Sequence, residues 1–182
     1  MNKLHPDLAR VIISAEEIKA RVAGLAVEIE ADYADAERVI LVGILKGAFI
    51  FLADLARALQ IPHIVDFMAV SSYGKTATST GAVRLVLDLR EPIENEHVII
   101  VEDIVDTGHT LDYLTHTLGG RNPASIRTCA LTRKLRDATN IPVDYLGFEI
   151  PDVWVVGYGL DYADRHRTLP YVAELKPEAY QK

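Results

Sequence analysis

Short apolar runs alternate along the chain with stretches in which apolar positions follow helical spacing. The segment VILVGIL at 39–45 is almost entirely apolar, which is typical of a strand buried on both faces of a parallel sheet. Further strands are predicted at 64–70, 83–89, 97–101, 126–131, 143–148 and 153–158.

Three segments follow the spacing of a helix. In the first, Ser14 and Glu17 form a capping-box pattern, and apolar residues then recur at helical spacing until the helix ends near Tyr33. The others are predicted at 48–59 and at 108–118, where two glycines close the helix. Strands and helices thus alternate, which predicts an α/β domain with a mainly parallel sheet.

The composition fits a single domain over residues 1–182. Hydrophobic residues make up 49% of the chain and charged residues 25%, as in an ordinary packed globular protein. The net charge of -7 argues against a nucleic-acid partner, because non-specific binding needs a basic surface. A site for a polyanionic ligand would therefore need its own cations or a metal.

The single cysteine and the six histidines show no spacing typical of zinc ligands. Cys129 lies in an apolar run, which favours a buried structural thiol, and CxxC, HxxxH and HExxH patterns are absent. A zinc or iron site is therefore not expected. The sequence has neither a signal-peptide core nor a stretch of about 18 apolar residues, so we expect a cytoplasmic protein without membrane association.

The segment VIIVEDIVDTGHTL carries the clearest chemistry. An apolar strand is predicted to end at Glu102 and Asp103, and Thr107-Gly108 then opens a helix. The first N–H groups of a helix bind phosphate, and paired carboxylates can accept hydrogen bonds from two sugar hydroxyls. A simpler reading is that Asp106 or Thr107 only caps the helix. The strand, the three acids and the TGxT turn together favour an enzyme that acts on a phosphorylated sugar.

This segment resembles the phosphoribosyl-diphosphate motif of phosphoribosyltransferases, and EDxxDTGxT is similar to the hypoxanthine–guanine branch. LVGILKGAFIFLADL, SSYGKTATSTG, PVDYLGFEIPDVWVVGYGLDY and RHRTLPYV are similar to family segments in the same order. The resemblance implies the type I phosphoribosyltransferase fold, with a mainly parallel sheet flanked by helices, a small hood subdomain and a flexible lid loop. It also implies purine salvage, in which phosphoribosyl diphosphate and hypoxanthine or guanine give a nucleotide and diphosphate.

The resemblance further implies roles within the motif. Asp106 would be the acid–base group near purine N7, and Glu102 and Asp103 would hold the ribose hydroxyls. The residues that would cradle the 5-phosphate are Thr107, Gly108, His109 and Thr110. His109 departs from the family pattern, since many relatives carry Lys or Asn there, so only the backbone role of this position is carried over.

Other segments would supply the remaining contacts. The groups implied to bind pyrophosphate are Leu45, Lys46, Gly47 and Arg167, with a cis peptide before the lysine in many relatives. Ser72 and Tyr73 would form the lid. The purine would meet Lys134 at O6, Trp154 by stacking and the backbone of Val155. Mg²⁺ would bind Asp161, Glu102 and Asp103.

Three of these positions also have plainer readings. Lys46 and Lys134 are each of a type usually found at the surface, and Arg133 competes with Lys134 for the purine role. Trp154 falls in a predicted strand, where an aromatic side chain more often belongs to the core.

Alternative functions remain open. Within the fold, the base could be xanthine or a pyrimidine, although Asp106 and Trp154 argue against a pyrimidine. A second alternative is an RNA-binding regulator, which the 19 basic against 26 acidic residues disfavour. A third is a nucleotide sensor without catalysis. The partners expected are small-molecule substrates and further copies of the chain, as a homodimer or homotetramer by resemblance.

Overall fold

The computed structural model describes residues 4–72, 83–136 and 141–181 of the chain. Strands and helices alternate within these ranges. In chain order they are β1 (Leu8–Ile13), α1 (Ala15–Asp32), β2 (Val39–Leu45), α2 (Phe49–Ala58), β3 (His63–Ser72), β4 (Val83–Leu87), β5 (His97–Val105), α3 (His109–Gly119), β6 (Ser125–Lys134), β7 (Tyr145–Ile150), β8 (Val155–Val156), β9 (Val172–Leu175) and α4 (Pro177–Tyr180). Most of the predicted lid, including Tyr73, lies outside the described residues.

The main sheet has six strands in the order β4-β3-β2-β5-β6-β7. Neighbouring strands run parallel, except that β4 pairs antiparallel with β3 at one edge. The mainly parallel α/β sheet predicted from the sequence is therefore confirmed. The carboxyl ends of the parallel strands meet at one edge of the sheet, which is where open α/β sheets bind their ligands.

Each face of the main sheet has its own core, because successive side chains of a strand point to opposite faces. On β2, Val39 and Leu41 belong to the core formed with α1 and α2, whereas Ile40 and Val42 belong to the core formed with α3. All four side chains are buried. This two-sided burial is the physical reason for the continuous apolar run at 39–45.

The first helix begins as its capping pattern predicts. Glu17 N–H donates to Ser14 Oγ over 3.2 Å, and Ser14 N–H donates to the Glu17 carboxylate over 2.8 Å. The two bonds satisfy backbone donors that a helix start otherwise leaves free, and such a cap contributes about 1 kcal/mol. The helix buries Ile18, Val22 and Leu25 against the sheet.

A second sheet contains three antiparallel strands in the order β1-β9-β8. It has a small core of its own and corresponds to the small subdomain that the resemblance implies. The buried residues of that core are Leu8, Val156, Ala173 and Leu175. The sequence pattern did not predict β1 or β9, and the strand predicted at 153–158 shortens to β8. The chain turns at Gly157 and Gly159, where φ is +102° and +104°, values that end an extended strand.

β5 and β6 both extend beyond the carboxyl ends that the sequence predicts. β5 continues to Val105 and β6 continues to Lys134, because the two strands stay paired up to the contact of Val105 with Arg133. The expectation that the strand ends at Glu102 and Asp103 is thus wrong, since both acids lie within β5. Acidic residues are depleted in strands, which explains why the pattern placed them in a loop. Among the described residues, none of the helices has the length and apolar character needed to cross a membrane.

Candidate active site

A cavity of about 290 Å³ opens at the carboxyl ends of β2 and β5. Its lining comes from the end of β2 and the following Gly47, from Val70 of β3, from residues 102–106 at the end of β5, and from the turn that leads into α3. Eight residues singled out in the sequence meet in this cavity. They are Leu45, Gly47, Glu102, Asp103, Asp106, Thr107, Gly108 and Thr110.

The turn into α3 leaves room for an anion at the start of the helix. Gly108 is the N-cap and has φ of +83°, and no side chain of the described residues caps the helix. A Cβ at this position would lie 2.3 Å from Ile141 Cδ1, the end of a flexible side chain, so the positive φ is the stronger reason for glycine here. The N–H groups of the first turn therefore lack side-chain acceptors and carry the positive end of the helix dipole. The neighbouring His109 is exposed.

The turn after β2 is packed tightly against the acids of β5. A Cβ on Gly47 would lie 1.6 Å from Asp103 Oδ2, and a Cβ on Gly159 would lie 2.0 Å from the Gly47 carbonyl oxygen. The peptide bond between Leu45 and Lys46 is cis, a point that the sequence left open. Glycine at 47 thus lets the backbone of this turn lie directly against a carboxylate.

Of the two acids of β5, Glu102 is buried and Asp103 is partly buried. Burial, with a further contribution from the Asp103 charge, raises the pKa of Glu102 well above its usual range. Burial likewise raises the pKa of Asp103 to about 6, although Ile104 N–H donates a hydrogen bond to Asp103 Oδ1 over 2.9 Å. Glu102 Oε1 has no hydrogen-bond partner among the described residues. A cation or a pair of hydroxyl donors would relieve this concentration of buried carboxylate.

The pyrophosphate candidates Lys46 and Arg167 meet at one acidic side chain. Lys46 Nζ lies 3.3 Å from Asp164 Oδ1, and Arg167 Nη2 lies 3.2 Å from the same oxygen. Arg167 also pairs with Asp161 Oδ1 at 2.7 Å and donates to the Gly159 carbonyl oxygen over 2.6 Å. Arg167 lowers the pKa of Asp103 and Asp161 raises it, although burial has the larger effect, so this cluster adjoins the buried acids.

Lys134 ends β6 and lies between two acids. Its Nζ is 3.4 Å from Asp106 Oδ2 and 3.4 Å from Asp152 Oδ1, although the side chain is only 9% exposed. Arg133, the competing candidate, forms an ion pair with Glu149 at 2.5 Å. Because successive strand residues point to opposite faces, the two basic side chains cannot serve the same site. The geometry therefore favours Lys134 next to Asp106.

Trp154 precedes β8 and is 51% exposed, so the reading of this residue as part of a buried strand is wrong. Its ring lies 5.9 Å from Lys134 Nζ and contacts Tyr162 and Tyr180, with ring centroids 5.8 and 5.5 Å away. An exposed indole face beside Lys134 can accept a planar ring. Val155 is buried within β8.

Arg136 and Asp152 complete the cluster around Asp106, and the sequence reasoning did not identify either. Arg136 Nη1 lies 2.6 Å from Asp106 Oδ1, and its Nη2 lies 2.6 Å from Asp152 Oδ1. The pairing with Arg136 lowers the pKa of Asp152. The sequence offered only a run of basic residues near the end of a strand, which does not reveal a partner 16 residues away.

Comparison with known protein families gives a match over most of the chain. The family model for the phosphoribosyl transferase domain matches residues 12–163. The chain belongs to the phosphoribosyltransferase family.

Curated relatives and solved structures cover almost the whole chain. The hypoxanthine-guanine phosphoribosyltransferase of Dictyostelium discoideum is 47% identical over 176 residues, which are 94% of this chain and 98% of the relative. The structure of a Staphylococcus aureus hypoxanthine phosphoribosyltransferase superposes with a TM-score of 0.93 at 41% identity and covers all of both chains. The Trypanosoma cruzi enzyme in complex with the product IMP gives 0.90 at 42% identity, over 98% of this chain and 100% of that one.

Proposed function

We propose that the chain is a purine-salvage enzyme that transfers the 5-phosphoribosyl group of phosphoribosyl diphosphate to hypoxanthine, and also to guanine, giving IMP or GMP and diphosphate. The observation that supports this proposal best is the pairing of Lys134 with Asp106 at one end of a cavity that is also lined by the turn into α3 and by the two acids of β5. The relatives named above support the same activity.

The Lys134–Asp106 pair matches the edge of a 6-oxopurine. Such a base carries a hydrogen-bond acceptor, O6, directly beside N7, whereas adenine carries an amino donor in place of O6. A lysine donor would bind O6, and a carboxylate would accept a proton from N7. The 3.4 Å between Lys134 Nζ and Asp106 Oδ2 is close to the spacing of the two purine atoms. Trp154 would stack on the ring, and Val155 would contact its edge through the backbone.

The sugar and its phosphates would occupy the rest of the cavity. Residues 107–110 would bind the 5-phosphate through the free N–H groups at the start of α3. Glu102 and Asp103 would accept hydrogen bonds from the ribose hydroxyls. Pyrophosphate would lie against the backbone of residues 45–47, with Lys46 and Arg167 supplying positive charge. Ser72 and Tyr73 would close over the sugar and exclude water.

Enzymes of this family generally need a divalent metal, and the residues present fit one. Glu102, Asp103 and Asp161 offer carboxylate oxygens, the ligands that Mg²⁺ prefers, and Glu102 Oε1 has no protein hydrogen bond within the described part of the chain. We therefore propose Mg²⁺ as the metal. When bound, it would offset the charge of the diphosphate and orient the donor.

Asp106 would act as the general base during the phosphoribosyl transfer. Purine N9 attacks ribose C1 while the bond from C1 to the diphosphate oxygen breaks, and the proton on N7 passes to the Asp106 carboxylate. The positive charge that develops on the sugar would be stabilised by the departing diphosphate and by the acids of β5. Lys134 would hold O6 in place, so that N7 stays within reach of Asp106.

Product formation tests the proposal directly. Hypoxanthine, guanine, xanthine and adenine are each incubated with phosphoribosyl diphosphate and Mg²⁺, and nucleotide is measured by chromatography. We expect IMP and GMP and essentially no AMP, and the rate with xanthine reports on contacts near purine C2. If none of the 6-oxopurines gives a product, the proposed function is wrong.

Assembly and location complete the proposal. We propose a homodimer or homotetramer in the cytoplasm, without nucleic-acid or membrane partners. An apolar depression of about 600 Å³ between α1, α2 and residues 168–170 lies outside the active site. Light scattering after gel filtration measures the assembly.

A further inference from the structure

Two histidines and an aspartate meet at the junction of the small sheet and the loop before β9. His166 Nε2 lies 3.2 Å from Asp7 Oδ2, and His5 Nδ1 lies 3.6 Å from the same oxygen. One ligand atom from each of the three residues falls within 4.8 Å of the other two. The two imidazole rings are 4.7 Å apart and stand edge to face.

We propose that His5, Asp7 and His166 form a second metal site, which binds a transition-metal dication of the zinc type and is separate from the cation site of the transfer reaction. Two imidazoles and one carboxylate are a typical donor set for zinc, and a fourth position would hold water. Mg²⁺ prefers oxygen ligands, so it would not compete effectively here. The inference does not depend on the proposed function.

The distances require only a small adjustment. In a tetrahedral zinc site with bonds of about 2.0–2.1 Å, neighbouring ligand atoms lie roughly 3.3 Å apart. The His166–Asp7 and His5–Asp7 distances of 3.2 and 3.6 Å are already close to this value. The His5 side chain is 50% exposed, so it can move until its ligand atom lies at a similar distance from that of His166. His5 Nδ1 would then give up the weak bond that it accepts from Asp7 N–H at 3.3 Å.

The backbone holds the three residues in position without a metal. Leu8 N–H donates to the His5 carbonyl oxygen over 2.9 Å, and Lys176 N–H donates to the Asp7 carbonyl oxygen over 2.9 Å. His166 has φ of +67° within a turn closed by a bond from Leu169 N–H. The ligands are therefore largely preorganised, which reduces the entropy lost on binding. Sequence spacing could not reveal them, because 159 residues separate Asp7 from His166.

Zinc titration of the tag-free protein in excess Mg²⁺ tests the site. Calorimetry gives stoichiometry and affinity, and imidazole nitrogen NMR reports which rings bind. We expect one zinc per chain with shifted signals from His5 and His166. Loss of one of three ligands should weaken binding at least about tenfold, since even residues behind the ligands contribute this much.

Three variants each remove one ligand, and a fourth variant is the matched control. His166→Asn keeps a residue type that tolerates positive φ, Asp7→Asn keeps the shape of the side chain, and His5→Ala changes an exposed residue. His116→Ala removes an exposed histidine of α3 away from the cluster. Affinity should fall in the first three and not in the control. The proposal is overturned if zinc binds His166→Asn as tightly as the parent, if zinc binding does not saturate, or if the His5 and His166 signals do not change. Each of these results would leave only a hydrogen-bonded cluster.

Discussion

Replacing Lys134 by glutamine removes the positive charge beside Asp106 and shortens the donor. Lys134 Nζ lies 3.4 Å from both Asp106 and Asp152, and the side chain is nearly buried. A hydrogen bond from a charged donor contributes about 1.5–3 kcal/mol. At about 1.4 kcal/mol per factor of ten, its loss corresponds to a fall of roughly ten- to 150-fold in kcat/KM for hypoxanthine.

Steady-state kinetics with hypoxanthine and adenine measure this effect. Adenine gains relative to hypoxanthine in Lys134→Gln, because the cationic donor is lost and the amide oxygen of glutamine can accept a hydrogen bond from the amino group of adenine. Arg133→Gln is the matched control, since Arg133 pairs with Glu149 on the other face of β6, and its kcat/KM should stay near that of the parent. Equal losses in both variants, or a hypoxanthine kcat/KM in Lys134→Gln within about threefold of the parent, would refute the purine role of Lys134.

Three further predictions follow from the same site. Asp106→Asn keeps the fold and IMP affinity but lowers kcat by about 10²–10⁴, as expected for the loss of a general base; calorimetry and turnover separate the two effects. Gly47→Ala places a Cβ 1.6 Å from Asp103 Oδ2, so we expect roughly a 100-fold loss of kcat/KM for the donor. Burial raises the pKa of Asp103 to about 6, so the fold loses stability as pH rises through that value and the side chain ionises. Mg²⁺ that binds the ionised carboxylate should therefore raise Tm more above about pH 7 than below about pH 5. An equal Mg²⁺ shift at both pH values would contradict this reading of Asp103.

The parts of the fold that follow from local pattern could be predicted from the sequence. The two-sided burial of β2 and the capping box at Ser14 each leave a periodic or fixed-spacing signal, and both are present in the structure. Two strands of the small sheet, β1 and β9, could not be predicted. β1 and β9 pair across more than 150 residues, for example at Leu8 and Leu175, and each is too short to show a period.

Part of the candidate site could likewise be predicted from the sequence, and part could not. The turn at 107–110 and the acids of β5 are contiguous in sequence, so their chemistry could be inferred from one segment. Arg136 and Asp152 could be identified only from the structure. Their ion pairs join Asp106, which follows β5, to residues that follow β6 and β7 and are distant in sequence. The sequence favoured Lys134 over Arg133 only by resemblance, and the opposite faces of β6 that the two side chains occupy give a physical reason for the same choice.

The ion pairs of Arg167 give a last prediction, which rests on the roles proposed for Arg167 and Asp161. Arg167 Nη2 pairs with Asp161 Oδ1 at 2.7 Å and with Asp164 Oδ1 at 3.2 Å. A diphosphate that binds Arg167 competes with Asp161 for the guanidinium, and a cation that binds Asp161 removes that competition. Each ligand should therefore increase the affinity of the other.

Calorimetric titration of the donor with and without Mg²⁺ measures this coupling, which we expect at about 1–3 kcal/mol. Asp164→Asn is the matched comparison, because Asp164 is 74% exposed and an exposed ion pair contributes only about 0–1 kcal/mol. It should leave the coupling almost unchanged, whereas Arg167→Gln should lower it to the part that comes from the charge that the cation offsets on the diphosphate. Equal donor affinity with and without Mg²⁺, or full coupling in Arg167→Gln, would show that the exchange of ion pairs at Arg167 does not link the two ligands.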